Sequence, residues 1–254
     1  MIVIRYDGSF DGFLTAVFIV YRERFSHVQL LSGTGQVSDL LARHIEIATE
    51  ADKAKRVFAK LKQVFGYEEL RYFLYGRLFE AEDRDDTLLA VIRYAIKQAP
   101  RQILNDYGQP DVLRLSQFVK SVKREQHRLK GFVRFAQTQD GQFIAPVAPD
   151  YDVLPLVAPF FAKRFGDQRW TIADVKRHYA VFYDLHNLQS ISLSVESLAQ
   201  LRQAALADDE RFYQKLWQDY FQVTAISERR NMRLHAQQMP RRYWRYLTEK
   251  QYIK

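Results

Sequence analysis

Four aspartates sit where the chain turns toward a helix. Asp7 and Asp11 bracket Gly-Ser-Phe in YDGSFDG, and Asp150 and Asp152 bracket Tyr151. Carboxylates this close can divide acid and base work when their surroundings push their pKa values apart. His127, in KREQHRLKG, is a fifth candidate because imidazole titrates near neutral pH. The same aspartates have a structural use, since acidic side chains cap helices and favour the positive end of the helix dipole. Ser9 lacks the glycine spacing of a nucleophile elbow and is expected to cap.

A second constellation is cationic. Between residues 120 and 135, Lys120, Lys123, Arg124, Arg128, Lys130 and Arg134 face Glu125 alone. Between 229 and 254, eight Lys and Arg, among them Arg229, Arg241, Arg242 and Arg245, face Glu249 alone. The net charge is +8, so the rest of the chain is net acidic. Charge raises local potential only where it converges, which makes two such clusters the footprint of a polyanion-binding surface. Lys120, Lys123, Arg124, Lys130, Arg134, Arg241, Arg242 and Arg245 are the expected phosphate contacts, with His127 and Arg229 as further nucleic-acid-binding residues. Tyr243 and Trp244 interleave with the last arginines and offer a base a stacking face. A plain helix there puts Tyr243 and Leu247 inward, leaves Trp244 open to either side, and turns Arg241, Arg242 and Arg245 outward.

What is missing narrows the field. The 254 residues hold no cysteine, which excludes disulfides, zinc-thiolate sites, iron–sulfur ligation and thiol nucleophiles. The six histidines are scattered, so no metal and no cofactor is expected. There is no phosphate-binding loop, GxGxxG, HExxH or GxSxG. Arg5 and Asp7 come too early for a signal peptide, and the apolar run Ala16 to Val20 is too short to span a membrane, so a cytoplasmic location is expected.

The elements that must position these residues follow from periodicity. Ile2 to Asp7 reads as a strand, and Phe10, Phe13, Leu14, Val17, Phe18 and Tyr21 as one face of a helix opened by Ser9. Residues 26–43 give no decided pattern. His44 to Ala48 is a candidate strand, Thr49 a helix cap and Gly66 that helix's end, with further helices over 67–80 and 84–98. The segment 99–111 holds Pro100, Gly108 and Pro110 and is the best boundary. Beyond it come a basic helix, Asp111 to Lys130, stopped by Gly131, and a hairpin turning at Gln139-Asp140-Gly141. A helix capped by Asp152, a second hairpin near Asp174-Val175-Lys176, and helices opening at Ser194, Asp208 and Pro240 complete the chain. The expected architecture is α+β without βαβ alternation. Residues 1–108 form a mostly helical region with one or two short strands. Residues 109–254 form an antiparallel sheet of two hairpins with packed helices and a basic tail.

Four stretches, YDGSFDGFLTAVF, REQHRLKGFVRF, DGQFIAPVAPDYDVLPLVAPFFAKRFGDQRW and LWQDYF…ERRN…MPRRYW, resemble a bacterial DNA-metabolism family whose core is a domain of unknown function. The similarity runs in order along the chain, leaving 22–43 and 185–207 unmatched. Members of that family are typically encoded beside a radical-SAM protein of DNA repair or modification. Some are fused to a uracil-DNA-glycosylase-like domain. The resemblance implies a DNA or other nucleic-acid ligand and a radical-SAM partner, whose cluster this cysteine-free chain cannot itself hold. It brings no established catalytic residues, but it marks Tyr6, Asp7, Gly8, Ser9 and Asp11; His127, Lys130, Gly131 and Arg134; Asp150 and Asp152; Arg164, Asp167 and Trp170; and Arg229, Asn231, Pro240, Arg242, Tyr243 and Trp244. Three readings stand: a nucleic-acid-binding accessory protein, an enzyme acting on a damaged base through a carboxylate, and a protein–protein adaptor.

Overall fold

The structure is a computed structural model that describes residues 1–33, 42–98, 103–197, 206–224 and 231–251. It comprises two compact units, Met1–Lys123 and Arg124–Lys254.

In the first unit, β1 (Ile2–Tyr6) is the central strand of a three-stranded sheet, flanked by β2 (Val28–Ser32) and β3 (Arg43–Glu46). Both pairings are parallel, with Ile4 opposite Leu30 on one side and Ile45 on the other. Helix α1 (Phe10–Arg22) carries the chain from β1 to β2, and Ser9 caps it by accepting the Gly12 N–H. This is a βαβ crossover, so the expectation of none is corrected, and the described residues of the unit hold three strands rather than one or two. Parallel strands need such a crossover because no tight turn can return the chain in the same direction. β2 escaped the sequence reading because Leu30 and Leu31 are both buried, which erases the period-two signal.

Helix α2 (Ala51–Arg77) is broken at Gly66, whose φ of 67° and ψ of −175° leave the helical region. Thr49 does not cap it: the N-cap is Glu50, and the Thr49 hydroxyl donates to Asp7 at 2.8 Å. Helix α3 (Arg84–Lys97), a 3-10 turn at Ile103–Asn105 and α4 (Pro110–Phe132) follow. Val112, Leu115, Phe118 and Val119 of α4 are buried in the same core as Phe13, Phe73, Leu88 and Ile92. That packing moves the division between units from the expected 108/109 to a point within α4. Part of the expected linker, 99–102, lies outside the described residues.

The second unit holds a five-stranded sheet, β4 (Ala136–Gln137), β5 (Phe143–Val147), β6 (Trp170–Asp174), β7 (Tyr179–Tyr183) and β8 (Leu188–Ser192), hydrogen-bonded in that order. The hairpins β4–β5 and β6–β7 are antiparallel, the first turning through Gly141 at φ 79°. They are joined by a parallel β5–β6 pairing, with α5 (Leu154–Arg164) as the crossover, so the sheet is mixed rather than antiparallel throughout. The fold class remains α+β.

Helices α6 (Glu210–Val223), α7 (Met232–Gln238) and α8 (Arg241–Trp244) and a 3-10 turn at Thr248–Lys250 complete the unit. Gly131 does not stop α4, which runs on through Phe132. Asp152 does not cap α5: the N-cap is Val153, and the Asp152 carboxylate accepts from the Tyr179 hydroxyl. Among the described residues, no helix is long and apolar enough to cross a membrane.

Candidate nucleic-acid interface

Of the two candidate aspartates of the first unit, Asp7 is tied down and Asp11 is not. Asp7 accepts the Ser9 N–H at 2.9 Å, the Ser9 hydroxyl at 2.7 Å and the Thr49 hydroxyl at 2.8 Å. The bonds from Ser9 and Thr49 hold its carboxyl below the usual carboxylate range, which suits a structural anion and weakens a base. Asp11 is exposed in the first turn of α1. Beneath this turn, the buried Asp85 accepts from the Tyr6 hydroxyl at 2.6 Å and from Arg84 at 2.7 Å. Arg77 donates to the Gly8 carbonyl at 2.8 Å. Lys120 is exposed, and the exposed Lys123 ammonium lies 5.3 and 5.6 Å from the Tyr72 and Tyr75 rings.

In the second unit the two basic stretches touch. Arg128 on α4 donates to the Gln237 carbonyl at 2.6 Å, at the end of α7. Arg242 on α8 reaches Glu125 on α4 at 2.5 Å and Asp150 at 2.9 Å. Phe132 packs on Tyr243 with ring centroids 5.0 Å apart. Glu125 also accepts the Asp150 N–H at 2.9 Å, so one buried carboxylate holds the basic helix, the β5–α5 loop and the basic tail. Burial raises the pKa of Asp150, helped by Glu125 and opposed by Arg242. Asp150 and Asp152 are thus both tied into the fold.

This geometry corrects several expected contacts. Arg242 is spent on Glu125 and Asp150, and Arg134 on the buried Glu249 at 2.8 Å, so neither is a free phosphate ligand. Tyr243 is 3% exposed and presents no open face to a base. Burial, with Glu125 beside it, raises its hydroxyl pKa. Trp244 is half-buried: its indole donates to the Met239 carbonyl at 2.9 Å, and the Arg241 guanidinium lies 5.8 Å from its ring. Arg229 lies outside the described residues. Arg124, His127, Arg241 and Arg245 remain exposed, without a carboxylate in ion-pair range among the described residues. Lys130 is half-buried over the Phe160 ring at 5.2 Å.

The unit also carries a cleft of about 810 Å³ that the sequence reading did not anticipate. Phe135, Phe165 and Trp170 form one wall, and Tyr213 and Trp217 of α6 contribute another part of the lining. Lys130, Arg134 and Arg164 bring three cations to it. The available signal was the α6 stripe of Phe212, Tyr213, Leu216, Trp217 and Tyr220, which reads as a core face but is 40–64% exposed. Among the described residues, no cluster of three or more His, Asp or Glu is placed to hold a metal ion.

These features define an α+β protein whose second unit is basic and carries an aromatic cleft. The chain belongs to the family described as Domain of unknown function DUF4130, which matches residues 82–249. The match takes in every cleft residue and both paired cations, and leaves out Asp7 and Asp11. No curated protein matches the chain. Among solved structures, it is similar to a pGpG-specific phosphodiesterase, PggH from Vibrio cholerae, at 10% identity and a TM-score of 0.34. That similarity covers 80% of this chain and 96% of the other.

Proposed function

We propose that this protein is a nucleic-acid-binding accessory protein, directed to DNA, that works in the cytoplasm beside a radical-SAM enzyme of DNA repair or modification. The observation that carries the binding class is the meeting of the two basic stretches through Arg128–Gln237 and Arg242–Glu125. That contact leaves Arg124, Arg241 and Arg245 as exposed cations on one compact unit. The radical-SAM partner and the DNA repair context are supported by the sequence resemblance alone. The hydrogen bonds that occupy Asp7, Asp150 and Asp152 favour an accessory role over carboxylate catalysis.

Fluorescence anisotropy with labelled DNA across a salt series tests the reading. Each phosphate contact should lower log K by about 0.7–0.9 per decade of salt. Arg241→Glu with Arg245→Glu should weaken binding and flatten that slope. Affinity unchanged in the double variant would reject a nucleic-acid role for this surface.

The adaptor reading has one observation in its favour. Phe212, Leu216, Tyr220 and Val223 of α6 are 54–86% exposed, an apolar exposure that marks interaction surfaces. Co-purification of a partner that persists after nuclease treatment would support it.

A further inference from the structure

We propose that the cleft of the second unit binds a nucleobase together with its phosphate, as a stacking pocket for an unpaired nucleotide. The proposal deepens the nucleic-acid reading by naming the ligand of a separate site. Its size falls within the range of small-molecule pockets.

One wall is a set of interlocked rings. Phe135 lies edge-on to Phe165 at 5.6 Å and tilted to Trp170 at 5.9 Å, and Trp170 stacks on Tyr183 at 5.4 Å. Each ring is fixed by the next, so this surface is formed before any ligand arrives. Tyr213 and Trp217 stand one helical turn apart on α6, 59% and 40% exposed. Large aromatic surface held in water is costly, and a flat ring laid against it recovers that cost.

The polar groups specify an anion on the ligand. Glu210 and Glu249 are the nearby carboxylates, and both are buried and committed. Glu210 accepts the Gln137 N–H and the Gln214 amide, each at 2.9 Å. Glu249 accepts from Arg134 at 2.8 Å and from the Trp217 indole at 2.9 Å. Lys130 and Arg164 have no carboxylate partner among the described residues. The Arg164 guanidinium is exposed and lies 5.6 Å from the Phe165 ring, which places a phosphate ligand beside a stacking face. The buried Trp170 indole N–H has no hydrogen-bond partner among the described residues. Aromatic faces and two available cations together match a nucleotide better than a fatty chain or a neutral sugar.

The same chemistry is offered by a base in a DNA strand and by a free nucleotide, and one experiment on the full-length protein separates them. Single-stranded DNA carrying 2-aminopurine is titrated while probe fluorescence is read, and deoxyadenosine monophosphate is titrated against tryptophan fluorescence. Stacking should quench the probe. Tyr213→Ala and Arg164→Ala, both changes at exposed side chains, should each cost about tenfold in affinity and relieve the quench. Tyr213→Phe should retain both. Nucleotide binding without strand binding would support the pocket while rejecting the DNA reading. Strand binding that weakens in Arg241→Glu but shows no quench and no loss in Tyr213→Ala would overturn the pocket and leave the DNA reading intact.

Discussion

Arg241 and Arg242 are neighbours of the same charge in different surroundings. Arg242 compensates Glu125, whose carboxylate is 1% exposed, whereas Arg241 lies in the open over Trp244. Removing one partner of a buried ion pair leaves the other charge desolvated and unpaired, which typically costs about 3 kcal/mol or more. Arg242→Ala should therefore lose about 3 kcal/mol of stability in urea denaturation, while Arg241→Ala stays within about 0.5 kcal/mol. The same distinction decides which substitutions can report on ligand binding: Arg241 and Arg245 can, and Arg242 confounds binding with folding. Asp86 gives a pH prediction. Burial pushes its carboxyl up to about 6, with Asp85 and Asp83 reinforcing the rise and the Leu30 N–H and Arg93 opposing it. A raised folded pKa means that the folded state holds the proton more tightly. This contribution is fully present below the unfolded value near 4 and is lost as pH rises to about 6. Asp86→Asn keeps an acceptor for Leu30 and removes the charge. Discounted for solvent screening, it should gain about 1 kcal/mol at pH 7.5 and little at pH 4. Denaturation at the two pH values checks this.

At the scale of elements, the start of α1 depends on Gly12. A Cβ there would come within 2.2 Å of Asp7 Oδ1, 2.8 Å of the Tyr6 ring and 2.9 Å of Thr49 Oγ1. Tyr6 and Asp7 are held by their own hydrogen bonds, so Gly12→Ala should cost about 1–3 kcal/mol as an overpacked site. A lowered urea midpoint with an unchanged m-value is the expected readout. Local signals of this kind were legible in the sequence: the apolar face of α1, the Ser9 cap, the break at Gly66 and the Asp140-Gly141 turn. Non-local ones were not. The parallel β5–β6 pairing depends on α5 lying across the sheet. All five residues of β8 are exposed, so it shows no burial alternation. Candidate cations could be read from composition. Which of them are tied down could not, because Glu125 and Arg242 lie 117 residues apart, as Arg134 and Glu249 lie 115 apart. The aromatic cleft was hidden for the related reason that its rings come from α5, α6 and the strands around them, and α6 reads as a core helix.

Across the whole molecule, charge is unevenly shared. Arg124–Lys254 holds twenty Lys and Arg against fourteen Asp and Glu, so it carries +6 of the chain's +8. Charge alone makes a testable demand: duplex DNA has the denser phosphate array and the steeper salt slope, so a purely electrostatic surface binds duplex at least as well as a single strand. The cleft makes the opposite demand. Its rings can reach a base only when that base is out of the helical stack, and each stacked base contributes about 1–3 kcal/mol. One stacked base is enough to reverse the electrostatic order. At equal salt, a 20-nucleotide single strand should therefore bind at least about tenfold more tightly than its duplex. A duplex with one unpaired nucleotide should recover part of the difference, and Tyr213→Ala should abolish it. Anisotropy titrations with the three DNAs measure this directly. Equal affinities for all three, with a normal salt slope, would assign binding to the exposed arginines of the second unit and leave the cleft with no part in it.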